Sequence, residues 1–175
     1  FRAMRLSFFI IFCISQIHSF AQTKTNEKAA MEYFINKYPN GQKEAEGKYI
    51  NGKEHDKWMY WHSNGHLKQV ANFNVGRLHG NVTYYYANGD KKDEGFFVGG
   101  KQHGNYTSWY SNKNLKLQGK YIKDSKSGHW VSYYENGNKE WEGNYKNNQK
   151  DSVFTYWYPT GQILKKTYYS KGYDS

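Results

Sequence analysis

Residues 133 to 152 read YYENGNKEWEGNYKNNQKDS, and residues 85 to 95, YYANGDKKDEG, open on nearly the same phrase two periods earlier. The Asn-Gly pair inside it stands at 40/41, 64/65, 88/89 and 136/137, always 24 residues or a multiple apart. Asn112-Lys113 occupies the missing step and Thr160-Gly161 closes the series, so the spacing predicts six copies from about Phe34 to the C-terminus. A second column reads Gly47, Ala71, Gly95, Gly119, Gly143, and two residues further on an aromatic column reads Tyr49, Phe73, Phe97, Tyr121, Tyr145, Tyr169. Equal units without insertions argue for stacking of one small element on the next.

That element reads as a β-hairpin. Asn-Gly between aromatic-rich runs is a strong turn signal, because both central residues of a type I′ turn require positive φ. With Asn64-Gly65 as a two-residue loop, Trp61 faces Lys68, Tyr60 faces Gln69 and Trp58 faces Ala71. Alternation then assigns residues 58, 60, 62, 67, 69, 71 and 73 to one face, which gathers the rings of Trp58, Tyr60 and Phe73 and is expected to be the packed one. In later units Tyr106 falls opposite Gly119 and Trp130 opposite Gly143, where a ring can cover a bare backbone. The opposite face carries Trp61, Tyr85, Trp109, Tyr133 and Trp157, with Lys68, Lys92 and Lys116 expected directly across from the first three. One hairpin buries little alone, which explains why the phrase is copied.

Each unit resembles the MORN repeat, in the variant form of the bacterial YwqK-type antitoxin family: an aromatic pair, NG, E-G-x-Y, then G-K-x-H-G. The resemblance implies a string of hairpins in one elongated, twisted antiparallel sheet without catalytic activity. Later copies depart from it, since Ser127 and Asp151 replace the His of the H-G pair and Ser152 replaces its Gly. The fold expected is therefore all-β, a single-layer antiparallel meander. A short helix from Asn26 to Tyr33 is expected to cap its first hairpin, and Pro39 and Pro159, in one column of the first and last copies, are expected to discourage pairing at the sheet edges.

Candidate chemistry is sparse. His55, His79 and His103 share a column, but successive copies lie two strands, about 10 Å, apart, whereas zinc ligands converge to about 2 Å from one ion. Asp93/Glu94 and Glu140/Glu142 read as solvated surface charge, because adjacent strand residues point to opposite faces and carboxylates two apart on an exposed face are seldom desolvated. No nucleophile elbow, phosphate-cradling loop or zinc signature occurs, so the expectation is a non-enzyme without metal or cofactor. The outward row of Trp and Tyr among lysines is the candidate binding stripe. Cross-strand support is its simpler explanation, since Lys stems cover rings and gain a cation–π attraction of about 0.5 to 1 kcal/mol. Glu140 and Leu164 stand where the lysines would continue.

Composition sets the frame. Aromatics are 19% of the 175 residues, with 18 Tyr and 6 Trp, while Pro numbers only 2, which suits strands and turns better than helices or disorder. Residues 4 to 21, MRLSFFIIFCISQIHSFA, read as a secretory signal peptide with cleavage after Ala21, preceded by an upstream extension from Phe1 to Ala3. That divides the chain into 1–21, an N-terminal segment 22–33 and a repeat domain 34–175. Of 25 Lys and Arg, Arg2 and Arg5 precede the cleavage, so the mature chain keeps 23 against 15 Asp and Glu, a charge of +8. The only cysteine, Cys13, is discarded with the signal. Export makes nucleic acid an improbable partner for this basic chain, and no later segment is apolar enough to span a bilayer. The expected function is a protein-interaction scaffold or antitoxin-like binder in the periplasm, on the surface or outside the cell. The alternative is retention of anionic phospholipid or glycan by the aromatic and lysine stripe.

Overall fold

The computed structural model describes residues 30–170 together with 173 and 174. They form one open antiparallel sheet in which thirteen strands lie in sequence order. The strands are β1 (Met31–Lys37), β2 (Lys43–Ile50), β3 (Lys53–Trp61), β4 (Leu67–Asn74), β5 (Arg77–Tyr85), β6 (Lys91–Val98), β7 (Lys101–Trp109), β8 (Leu115–Ile122), β9 (Ser125–Tyr133), β10 (Lys139–Lys146), β11 (Gln149–Trp157), β12 (Ile163–Ser170) and the two-residue β13 (Tyr173–Asp174). The expected signal peptide lies outside the described residues. So does most of the expected capping helix, whose described end, Met31 to Tyr33, is strand: β1 pairs with β2 from Met31 opposite Ile50 onward. Phe34 anchors β1 by packing its ring 5.5 Å from Tyr49 and 5.7 Å from Trp58.

Two kinds of turn alternate along the meander. At the Asn-Gly rim the loop has three residues, not two. His62 N–H donates to the His66 carbonyl and Gly65 N–H to the His62 carbonyl, and the same pair recurs at residues 38–42, 86–90, 134–138 and 158–162. Only the third loop residue takes positive φ, as Gly65 does at +88°, and Lys113 is held there at +72° where glycine is missing. The asparagine before it serves as an acceptor instead: Asn64 Oδ1 takes the His66 N–H at 3.1 Å. Pro39 and Pro159 follow the residue that starts their loops, where a fixed φ near −65° suits the bend. They sit in rim loops, and no strand edge contains them. The type I′ turns lie on the other rim, at 51/52, 75/76, 99/100, 123/124 and 147/148, with positive φ at both residues.

The extra loop residue shifts the register by one. Trp58 still pairs with Ala71 and Tyr60 with Gln69, but Trp61 pairs with Leu67, leaving Lys68 displaced. Paired residues share a face, so Leu67 lies on the Trp61 face, contrary to expectation. Another irregularity lies at mid-sheet, where Asp56, Gly80, Gly104, Gly128 and Ser152 take positive φ and each odd strand from β3 to β11 slips by two residues against the strand before it.

The packed face is built of rings against glycine. Tyr106 pairs with Gly119 and Trp130 with Gly143, as the alternation requires. The bulky rings, however, lie over the glycine on their other flank: Trp58 over Gly47, Trp130 over Gly119 and Phe154 over Gly143. Trp58, Trp130 and Phe154 are buried. Trp58 meets Tyr49 edge-on at 4.8 Å and stacks on Tyr60 at 5.9 Å, while Trp130 meets Tyr121 edge-on at 4.9 Å and Phe154 meets both Tyr145 and Tyr169 at 5.3 Å. Each such pair adds about 0.5 to 1.5 kcal/mol beyond the area it buries.

Candidate binding surfaces

Adjacent hairpins are joined by side chains as well as by strand pairing. The second tyrosine of the aromatic pair donates its hydroxyl to a carbonyl 23 residues ahead, at 2.8 Å in each case: Tyr38 to Trp61, Tyr86 to Trp109, Tyr110 to Tyr133, Tyr134 to Trp157. In the remaining early hairpin His62 Nε2 lies 3.1 Å from the Tyr85 carbonyl. The loop asparagines make a parallel series, with Asn64 Nδ2 donating to the Ala87 carbonyl at 2.7 Å and Asn136 Nδ2 to that of Pro159 at 2.8 Å. The repeated phrase therefore encodes the hairpin and its attachment to the next one.

Trp61, Tyr85, Trp109, Tyr133 and Trp157 form a half-buried row on the face opposite the packed rings. The lysines of the sequence reading do not face them. Tyr85 pairs with Lys91 and Trp109 with Leu115, so Lys68, Lys92 and Lys116 are each one position out of register. Lys92 and Lys116 instead cover Tyr86 and Tyr110, at 5.8 and 5.4 Å. Glu140, in the same column, accepts from the Ser132 hydroxyl on the packed side.

A different set of lysines covers the tryptophans. Lys43, Lys91 and Lys139 stand 5.4, 5.8 and 5.3 Å from the rings of Trp61, Trp109 and Trp157. Each ammonium is also bound to the carboxylate three residues on, Lys43 to Glu46 at 2.7 Å and Lys91 to Glu94 and Lys139 to Glu142 at 2.6 Å. The Glu46 and Glu94 hydrogen bonds hold Lys43 and Lys91 above the usual lysine range. Every second hairpin lacks this triad and carries Leu67, Val70 and Tyr85 or Leu115, Gln118 and Tyr133 in the corresponding columns, where Gln118 Nε2 reaches the Tyr133 hydroxyl at 3.3 Å. Across the strands the row thus reads Trp, Leu, Tyr, Lys in a period of 48 residues, a signal already audible in the spacing of YYANGDKKDEG and YYENGNKEWEG.

The packed face holds two further half-buried lysines that sequence reasoning missed. Lys126 on β9 lies 4.6 Å from the Trp130 ring, 5.1 Å from Tyr145 and 5.9 Å from Trp141. Burial pushes its ammonium below the usual lysine range. Lys150, one period on, lies 4.8 Å from Tyr169 and 5.0 Å from Phe154, and donates to the Tyr156 hydroxyl at 2.8 Å. Burial pulls Lys150 down, but its hydrogen bonds to Tyr156 and Tyr169 prevail and leave it raised. The Tyr106 hydroxyl donates to Asp93 at 2.7 Å, and burial, with that bond, holds the phenol far above the usual tyrosine range.

His55 accepts weakly from the Val75 N–H at 3.4 Å beside the type I′ turn. Among the described residues no three His, Cys, Asp or Glu side chains are grouped so as to hold a metal ion, and no helix is long and apolar enough to cross a membrane.

An open sheet of hairpins, most of them clamped to the next by a tyrosine and an asparagine, defines a single-layer β-repeat protein. Four consecutive segments, 78–98, 102–123, 126–147 and 150–171, match the MORN repeat variant, which makes that stretch a run of MORN-variant repeats. They coincide with the hairpins β5–β6, β7–β8, β9–β10 and β11–β12. The hairpins β1–β2 and β3–β4 lie outside the match and share the same rim loop. No curated protein matches the chain.

Proposed function

We propose that this chain is an exported, non-enzymatic MORN-variant protein of six units whose sheet binds a partner protein, in the manner of an antitoxin that masks an exported toxin or of an envelope scaffold. The observation that carries this reading is the outer side of β1, which pairs with no other strand among the described residues. All seven of its residues are exposed, among them Met31, Tyr33 and Ile35, and an open strand edge with apolar side chains is the template for strand addition by another polypeptide. Affinity capture from an envelope fraction is the test. The intact chain should recover one specific protein, and Ile35→Lys should lose it; repeated empty captures would remove the proposal. Export is tested separately, by the N-terminus of the secreted chain, expected at Gln22.

Retention of anionic lipid or glycan by Trp61, Tyr85 and Trp109 is the weaker reading. Lys43 and Lys91 already cover the tryptophans and are tied to Glu46 and Glu94, so a sugar ring or headgroup would have to displace a formed ion pair. Replacing the three rings with Ser should cost stability and leave retention on glycan or anionic vesicles unchanged.

A further inference from the structure

Within residues 30–170 the packed face carries two half-buried lysines that no carboxylate neutralises. Lys126 and Lys150 are each half-buried among aromatic rings, yet neither ammonium pairs with a carboxylate of residues 30–170. Asp151, next to Lys150 in the chain, pairs with Asn144 and so points to the other face. The Trp130 indole N–H beneath Lys126 is also buried without an acceptor, whereas its counterpart in Trp58 donates to the Lys48 carbonyl at 3.0 Å. This cluster is rich in donors and poor in acceptors. Every other lysine over a tryptophan of the sheet has a glutamate three residues away.

We propose that Lys126 and Lys150 form a two-point site for an acidic segment of a protein partner, with the rings around them as its floor. This proposal rests on the protein-binding reading above and names the partner's chemistry. A desolvated ammonium held by rings retains its charge and gains most from a carboxylate that completes it. The half-buried position of both lysines favours a slender carboxylate side chain over a bilayer surface, which would have to approach past the surrounding rings. The spacing gives a second condition. β9 and β11 are separated by β10, and because Tyr145 pairs with Lys150 on one side and with Gly128 on the other, Lys126 lies two residues further along β9, so the two lysines stand about 12 Å apart. In a polyproline II segment, residues i and i+3 lie on one side about 9.3 Å apart. Glutamates three positions apart span most of that distance, their flexible side chains and the lysine stems close the rest, and the pyrrolidine rings of the segment lie on Tyr145, on the strand between the two lysines.

The test uses the full chain and an end-blocked proline peptide carrying two glutamates three positions apart, with calorimetry and tryptophan fluorescence as readouts. Binding should weaken with added salt and fall about tenfold for Lys126→Gln or Lys150→Gln. Lys126→Arg should keep it, as should Lys53→Gln at the distant turn. Near-ultraviolet circular dichroism checks that the tryptophan cluster survives each change. Equal affinity for the peptide with glutamines, or with adjacent glutamates, overturns the proposal, as does binding of phosphatidylglycerol vesicles through these lysines without binding of the peptide. A partner captured equally well by the Lys126→Gln, Lys150→Gln double variant would sink the acidic site while leaving the protein-binding reading intact. Peptide binding through the two lysines alongside empty captures would do the reverse.

Discussion

A β-carbon on Gly119 would land inside the Trp130 indole, and the same conflict arises between Gly47 and Trp58 and between Gly143 and Phe154. These rings sit in close contact with bare backbone, so Gly119→Ala forces the most buried side chain of β9 out of place. We expect a loss of about 3 kcal/mol, the upper end of overpacking costs, measured as a lowered urea midpoint. The columns of glycine and large rings were plain in the sequence. Which flanking glycine each ring covers was not, because that depends on the two-residue slip at Asp56, Gly80, Gly104, Gly128 and Ser152, a strand flare with no unique residue signature. Val75 shows the converse at another backbone constraint. It is a β-branched, exposed residue at φ +46°, the first position of a type I′ turn where other hairpins place Asn51 and Asn147. Val75→Asn should stabilise the protein by about 1 kcal/mol, since asparagine tolerates the left-handed region and valine does not.

At the level of the hairpin, the 24-residue beat located every rim loop but gave its geometry wrongly. Asn-Gly was readable as a two-residue turn because the residues that demand one are the same as those of a three-residue loop ending in glycine. The true two-residue turns are written Asn51-Gly52, Val75-Gly76, Gly99-Gly100, Lys123-Asp124 and Asn147-Asn148, a column too varied to announce itself. From that one extra residue follows the misplacement of Lys68, Lys92 and Lys116, and with it the loss of the expected lysine partners of the stripe. The tyrosine clamp between hairpins is testable on its own. Tyr110→Phe removes the 2.8 Å bond to the Tyr133 carbonyl and leaves that acceptor half-buried. Stability should fall by about 1 kcal/mol, and amide exchange should quicken at the β7–β9 rim before it does elsewhere; uniform exchange would show that the clamp does not join the hairpins.

Across the whole molecule, charge and period each set a global property. Burial raises the phenols of Tyr60, Tyr84, Tyr86, Tyr106, Tyr110, Tyr121, Tyr145 and Tyr156 above the ordinary tyrosine value of 10.0. The folded chain then holds protons that the unfolded chain releases, so their contribution is complete below pH 10 and is lost as pH rises through the folded values. Lys126 runs the other way, its penalty fading as it deprotonates, but one amine stands against eight phenols. The urea midpoint should therefore hold steady to about pH 9 and drop above pH 10, in step with tyrosinate absorbance. The deeper period is testable by excision. Removing residues 91–138 joins Asp90 to Lys139 and preserves the order Trp, Leu, Tyr, Lys along the outer row. Removing 67–90 and 115–138 deletes the same number of residues but leaves Lys43, Lys91 and Lys139 on successive hairpins, about 10 Å apart instead of about 20 Å, with the leucines between them gone. Both products keep equal length and equal hairpin number, so nearest-neighbour stacking alone makes them equally stable. The alternation makes the first more stable by about 1 to 2 kcal/mol, from restored cross-strand pairs and relieved repulsion between lysines. Coincident denaturation curves for the two would return the unit to 24 residues and leave the alternation of Lys–Glu–Trp hairpins without a structural role.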